Sequence, residues 1–188
     1  MFQRSLRSFT IHIVLAGAVA SLSGVALYSS GSQTVRIEDR CDPATFNAAL
    51  EDPNACVGDG DTTFDEFLAD TFANGGAEHW RFKEDDFHVR VGESVNSVNE
   101  GGEAHTFTPV AKFGGGFVDV LNVLSGAGSI VPECIPTPDK DGNFVAPGPE
   151  FVFPNSASGP KLLATKGVQR FQCCVHPWMR SVVTVRNR

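Results

Sequence analysis

The chain has 188 residues, 41% of them hydrophobic and 20% charged, with 15 Lys and Arg against 22 Asp and Glu. That length is ample for one domain with a buried core, and a net charge of −7 argues against a nucleic-acid surface, which needs clustered basic side chains. Fifteen Phe against one Tyr and two Trp points to an aromatic core, and five Cys are too few for a disulfide-dominated scaffold.

The N-terminus reads as an export signal over residues 1–20. Arg4 and Arg7 supply the positive start, Phe9 to Ala20 the apolar stretch, and Ala18-Val19-Ala20 a small-x-small cleavage site. The alternative is an uncleaved anchor extending to about residue 30, but His12, Ser21, Ser23 and Gly24 make the stretch marginal for a stable span. Export implies a secreted or periplasmic protein in an oxidising compartment, where spare thiols tend to pair. Contact with a membrane is expected only if the segment is retained. The remaining charge is uneven: residues 38–103 hold 17 of the 22 acids and four basic residues, a local charge of −13. This reads as a solvated acidic face, with a steering patch for a basic partner as the alternative.

Residues 34–79 read as an N-terminal extension with two short helices. Asp42 before Pro43 is a capping residue ahead of a first-turn proline, starting a helix that runs to about Leu50. Thr62 or Thr63 caps a second, in which Phe64, Phe67, Leu68 and Phe72 form one apolar stripe before Asn74-Gly75-Gly76. From Trp80 the period changes to two. Trp80 and Phe82, then Phe87, Val89 and Val91, alternate with charged residues, as strands with one buried face do. Further strands are expected over 95–98, over 104–108 as far as Pro109, over 168–174 and over 181–185. Residues 113–160 carry three consecutive Gly and many Pro; they read as a long loop insertion with brief strands near 118–124 and 151–153. The pattern is all-β, an antiparallel sandwich with two small helices in front.

The informative segment is Cys173-Cys174-Val175-His176-Pro177-Trp178-Met179. It offers a thiolate, an imidazole and a thioether, a donor set that suits copper, because Cu(I) favours soft sulfur and Cu(II) accepts nitrogen. A trigonal site needs a second imidazole from elsewhere in the chain. His105, just after the Gly101-Gly102 turn, is the natural candidate.

Cys-x2-His-x2-Met close to the C-terminus, with a distant Gly-Gly-Glu-x-His-Thr-Phe-Thr, resembles the cupredoxins, the blue copper proteins of the plastocyanin/azurin group. The short ligand loop is most similar to that of amicyanin. The resemblance covers roughly residues 80–188 and implies a cupredoxin-like Greek-key β-sandwich holding one type 1 copper ion. It assigns His105, Cys173, His176 and Met179 as ligands. It also implies an electron carrier rather than an enzyme, meeting redox partners transiently as a monomer, with the solvent-facing edge of His176 as the electron port beside Pro177 and Trp178. Arg180 is a further contact for such a partner, or else a solvated arginine. Two departures stand out. The 68 positions from His105 to Cys173 are more than small cupredoxins have, and Thr106 stands where the family often has Asn. Its hydroxyl is expected to supply the hydrogen bond behind the ligands, or the site is looser and its potential shifted.

Cys174 gives only Cys-x-His, and strand alternation sends it to the opposite face from Cys173. Cys41, Cys56, Cys134 and Cys174 then allow three pairings. Cys41 with Cys56 and Cys134 with Cys174 is the expected one: the first closes a 15-residue separation, worth about 3 kcal/mol in the chain-entropy account, and the second pins the insertion to the metal end. His79 and His88 read as surface histidines, and Glu93, Glu100 and Glu103 as solvated turns. Two other functions remain open: a copper carrier or buffer without electron transfer, and an Ig-like interaction module in which the cysteines are structural.

Overall fold

The computed structural model describes residues 31–138, 140 and 148–187. The export signal therefore lies outside the described residues. Among these, no helix is long and apolar enough to cross a membrane.

Two four-stranded sheets face each other. One has the order β2 (Arg81–Phe82), β1 (Ser32–Glu38), β4 (Ser94–Asn99), β8 (Lys161–Leu162). The other has the order β3 (Asp86–Arg90), β10 (Arg180–Arg186), β9 (Gly167–Gln172), β6 (Thr108–Val110), and a short ladder joins β5 (His105–Thr106) to β7 (Phe151–Val152). Val35, Ile37 and Val95 from the first sheet meet Val89, Phe171, Val183 and Val185 from the second in one buried cluster. Phe107 bridges the layers, stacked on Phe171 at 4.5 Å and edge-on to Phe82 at 5.5 Å.

The sandwich is not purely antiparallel. β1 runs parallel to β4 and β10 parallel to β3, so both sheets are mixed. Most of β1 falls inside what reads as an extension in the sequence. Its burial alternates, Val35 and Ile37 inward, but the weakly apolar SQTVRIE hides that signal. Proline 109 does not end a strand either: it lies within β6, its side chain exposed between Thr108 and Val110. Only the missing N–H is lost to the ladder, a tolerable cost at a sheet edge.

Both expected helices form. α1 (Pro43–Leu50) is capped by the Asp42 carboxylate, which accepts from the N–H of Ala44 and Thr45. α2 (Phe64–Asn74) starts with a reciprocal Thr63–Glu66 capping box and ends at Gly75 in the left-handed region, φ 74°. Its inner face carries Phe67 and Thr71 with Phe64 and Leu68 beside them, whereas Phe72 is 74% exposed. Phe72 is one position beyond Thr71, and that 100° step carries it out of the stripe.

The insertion is more structured than a loop. Residues 119–125 form α3 (Asp119–Ser125), not a strand, and Pro132–Cys134 a short 3-10 turn. Asn122 grips Gly116 through both backbone groups, at 2.7 and 2.9 Å. Gln172 of β9 does the same for Gly114, at 3.1 and 3.2 Å. A Cβ on Gly116 would lie 1.9 Å from the Cys174 carbonyl oxygen, so this crossing demands glycine. Disulfides join Cys41 to Cys56 and Cys134 to Cys174, the expected pairing, which fits an oxidising compartment. Cys173 alone among the five is a free thiol, and it is buried.

Candidate metal centre

Three chain segments meet at one end of the sandwich. β5 delivers His105 directly after the Gly101-Gly102 turn. β9 ends at Gln172, and the residues 173–179 form a loop that returns into β10, with Gln172 and Arg180 paired across its base. The loop closes on itself: Cys173 N–H donates to the Met179 carbonyl and Met179 N–H to the His176 carbonyl, both at 3.0 Å. Met179 is buried in this loop.

His105, Cys173 and His176 are brought together, their donor atoms all within 4.8 Å of one another. The Cys173 Sγ lies 3.8 Å from His105 Nδ1 and 3.9 Å from His176 Nδ1, and the two nitrogens are 3.2 Å apart. A single ion about 2.0 Å from each nitrogen and about 2.3 Å from sulfur, the usual range for such ligands, separates N from S by about 3.8 Å in a trigonal arrangement. The residues fit one ion. Thiolate with imidazole is also the donor chemistry that copper takes.

The thiol is prepared to be a thiolate. Its sulfur accepts the backbone N–H of Thr106 at 3.3 Å and of His176 at 3.4 Å. Burial by itself raises its pKa, but the hydrogen bonds and charges of His105 and His176 outweigh that and hold it well below the ordinary thiol value in the metal-free protein. Thr106 takes the part expected of it: its hydroxyl accepts the Cys174 N–H at 2.7 Å, tying β5 to the ligand loop beside the sulfur.

Two carboxylates stand behind the imidazoles, and neither was legible as such. Asp39, just after β1, accepts a hydrogen bond from His105 Nε2 at 2.8 Å, both side chains fully buried. Burial opposes ionisation there, but the His105 hydrogen bond and charge, with the N–H groups of Gly102 and Glu103, bring the Asp39 pKa down to about 2. His105 responds in kind. Desolvation would lower its pKa, yet its bonds to Asp39 and Cys173 raise it to about 10 without metal. Glu103 is not a solvated turn. It is 7% exposed, accepts from Trp80 Nε1 and faces His176 Nε2 at 3.6 Å. Burial raises its pKa against the pull of His176 and His105. The sequence clue was Glu103's place two residues before His105; Asp39, 66 positions away, offered none.

His176 is not a solvent-facing port. It is 2% exposed. Phe67 of α2 meets it edge-on at 5.8 Å and Trp178 at 5.4 Å. Behind Phe67 lie Trp80 at 4.6 Å and Phe46 at 5.5 Å. The two N-terminal helices thus place an aromatic layer over the loop, leaving Trp178 as its partly exposed member. Pro177 is buried, and Arg180 is half-buried and engaged: its Nε donates to the Pro177 carbonyl at 2.7 Å and its guanidinium lies 5.0 Å from the Phe113 ring centre. His79 and His88 are exposed, as expected.

No family model matches the chain, and no curated protein does. Solved structures do. The Cu(I) form of an amicyanin mutant aligns at 17% identity over 56% of this chain and 73% of the amicyanin, with a TM-score of 0.36. A reduced amicyanin mutant aligns at 20% identity with the same coverage and a TM-score of 0.35. A purple cupredoxin from Nitrosopumilus maritimus aligns at 16% identity over 54% of this chain and 77% of its own, with a TM-score of 0.32. The chain is similar to these proteins over about half its length, and its own fold is a mainly β sandwich of two four-stranded sheets.

Proposed function

We propose that the protein is a type 1 copper protein carrying single electrons between redox partners outside the cytoplasm. One observation carries this reading: two imidazole nitrogens and a free, buried cysteine sulfur converge from distant parts of the chain on a volume the size of one ion. His105, Cys173 and His176 would hold the ion, with the buried Met179 as a further thioether donor. Bound there, copper supplies a one-electron couple.

The chain's own residues supply the rest. Two N–H groups steady the sulfur, Asp39 fixes one imidazole, and the short loop 173–179 fixes the other between Cys173 and Met179. Ligands this constrained change little between oxidation states, which is what rapid electron exchange requires. The aromatic layer excludes water and puts Phe67 and Trp178 between His176 and the surface, so electrons would cross one layer of rings to reach a docked partner. The burial of all three donors favours a carrier of electrons over a carrier of copper, since release of the ion needs the layer to open. A structural role for the cysteines leaves Cys173 unexplained: it pairs with no other cysteine and faces two imidazoles.

Loading the purified protein with Cu(II) tests the reading. An intense visible thiolate-to-copper absorption, bleached reversibly by one electron per protein, is expected. Stoichiometric copper without that absorption, or with loss of the ion on reduction, overturns it in favour of a copper carrier.

A further inference from the structure

Asp39 is bonded as an ionised carboxylate and as nothing else. Its Oδ1 accepts the N–H of Cys41 at 3.2 Å and of Gly102 at 3.0 Å; its Oδ2 accepts the N–H of Glu103 at 3.1 Å and His105 Nε2 at 2.8 Å. Every backbone partner is a donor, so a proton on either oxygen would face an N–H. The fourth partner must then also donate, which puts a His105 proton on Nε2, so that Nδ1, facing Cys173 and His176, is the nitrogen that gives up its proton to hold an ion.

The surroundings are shaped around this contact. A Cβ on Gly101 would lie 1.9 Å from Asp39 Oδ2, and one on Gly102 would lie 2.7 Å from Cys41 Sγ. The Cys41–Cys56 disulfide holds the strand end that carries Asp39, and Cys56 bridges in turn to Glu103. A turn-capping role alone would need the two backbone bonds to Gly102 and Glu103; it would not need an oxygen spent on the imidazole.

We propose that Asp39 is the positioning residue of the copper centre: its carboxylate fixes His105 as a Nδ1 ligand and, as a fixed negative charge behind that ligand, favours Cu(II) over Cu(I) and so lowers the reduction potential. This rests on the copper reading above. A buried charge acts through little screening water, and the ion's charge changes by one between its two states, so the same carboxylate stabilises the oxidised form more. Hydrogen-bond partners of metal-bound histidines are worth 10- to 100-fold in metal affinity.

The test compares the wild type with Asp39→Asn, which keeps the size and removes the charge. Titration with Cu(II) and Cu(I) should show a loss of about 10- to 100-fold for Cu(II) and a much smaller loss for Cu(I). At 59 mV per tenfold for one electron, the potential then rises by about 60 to 120 mV with the visible absorption retained. A Cu(II) to Cu(I) affinity ratio unchanged within about threefold of wild type overturns the proposal. A purely structural Asp39 predicts that outcome, together with a lowered melting temperature. If Asp39→Asn fails to fold, histidine nitrogen NMR of the Cu(I)-loaded wild type decides. A slowly exchanging proton on His105 Nε2 supports the assignment, and a proton on Nδ1 or a rapidly exchanging one overturns it. A wild type that takes up copper without the thiolate absorption sinks the copper reading itself, a result distinct from an unshifted variant.

Discussion

Two segments lie outside the strands that build the ligand loop, and each carries its own disulfide. Cys41–Cys56 closes a loop within residues 31–80, whereas Cys134–Cys174 joins the insertion to the loop that holds Cys173. The first brings chemistry to the site: Asp39 onto His105, Phe67 over His176, Trp80 onto Glu103. The second brings packing. Its own cluster, Val110, Val131, Cys134 and Cys174 with Phe113 and Phe117, sits on the far side of the strand from Cys173. Adjacent cysteines on opposite faces of one strand end therefore separate a ligand from a fastener. A segment's nearness to a site in sequence says little about whether it takes part in it: the insertion is nearer to Cys173, yet the distant N-terminal segment supplies the contacts.

Variants can break or sharpen that contrast. The largest effect is expected at the thiol itself: Cys173→Ala should abolish the visible copper absorption, measured on the copper-loaded protein. Phe67→Ala should cost about 3–5 kcal/mol of stability and, by opening the layer over His176, speed electron exchange with a small soluble oxidant; the stopped-flow return of the visible absorption on oxidising the reduced protein measures it. An unchanged rate would mean electrons do not cross that layer. Removing both partners of the second disulfide, Cys134→Ala with Cys174→Ala, should cost about 2–5 kcal/mol while leaving the absorption in place. A shifted absorption would make the insertion part of the site after all. Phe72→Ser, on the solvent side of α2, should change stability by about 0.5 kcal/mol or less, read from urea unfolding.

The metal-free protein offers a further test of the N-terminal contact through pH. His105, raised from 6.5 to about 10, holds a proton that the unfolded chain has lost, while Cys173, well below 9.0, has lost one that the unfolded chain keeps. Below pH 6.5 the unfolded state binds the extra proton, so this pair makes stability rise with pH. Between about 6.5 and 9 the two effects cancel, and between about 9 and 10 the folded state holds the surplus and stability falls. Asp39, at about 2 against 3.8, adds stability present above pH 3.8 and lost as the pH falls through 2. Urea unfolding of the metal-free protein across this range should show the plateau; a steady decline from pH 6.5 would mean Cys173 is not a thiolate.

Local signals were readable where a few residues decide them. Asp42-Pro43 and the Thr62-Thr63 pair mark the helix starts because capping is a contact within one turn, although only the structure selects Thr63 and boxes it with Glu66. Period-two alternation marks β3, β4 and β10 because each has one buried face. Residues 119–125 misled because DVLNVLS is apolar and rich in Val, and a short apolar run does not separate helix from strand; what makes it a helix is Asn122 folding back on Gly116. β1 was missed because its pairing partners, 43 to 62 positions away, stabilise a strand that its own composition does not announce.

The sequence by itself determined the candidate donor set: Cys173, His176 and Met179 lie within one short stretch, and their spacing is a covalent fact that no packing changes. It also indicated that Cys173 and Cys174 part company, because neighbours on an extended chain point opposite ways. Only the tertiary structure decided what surrounds that loop. Whether His176 meets water or a phenyl ring, and whether His105 is backed by a carbonyl, a solvent molecule or a carboxylate, depends on contacts spanning 66 or more residues. Such contacts arise from how β1 and two helices dock on the sandwich, and docking is set by the shape and burial of whole faces rather than by any local pattern.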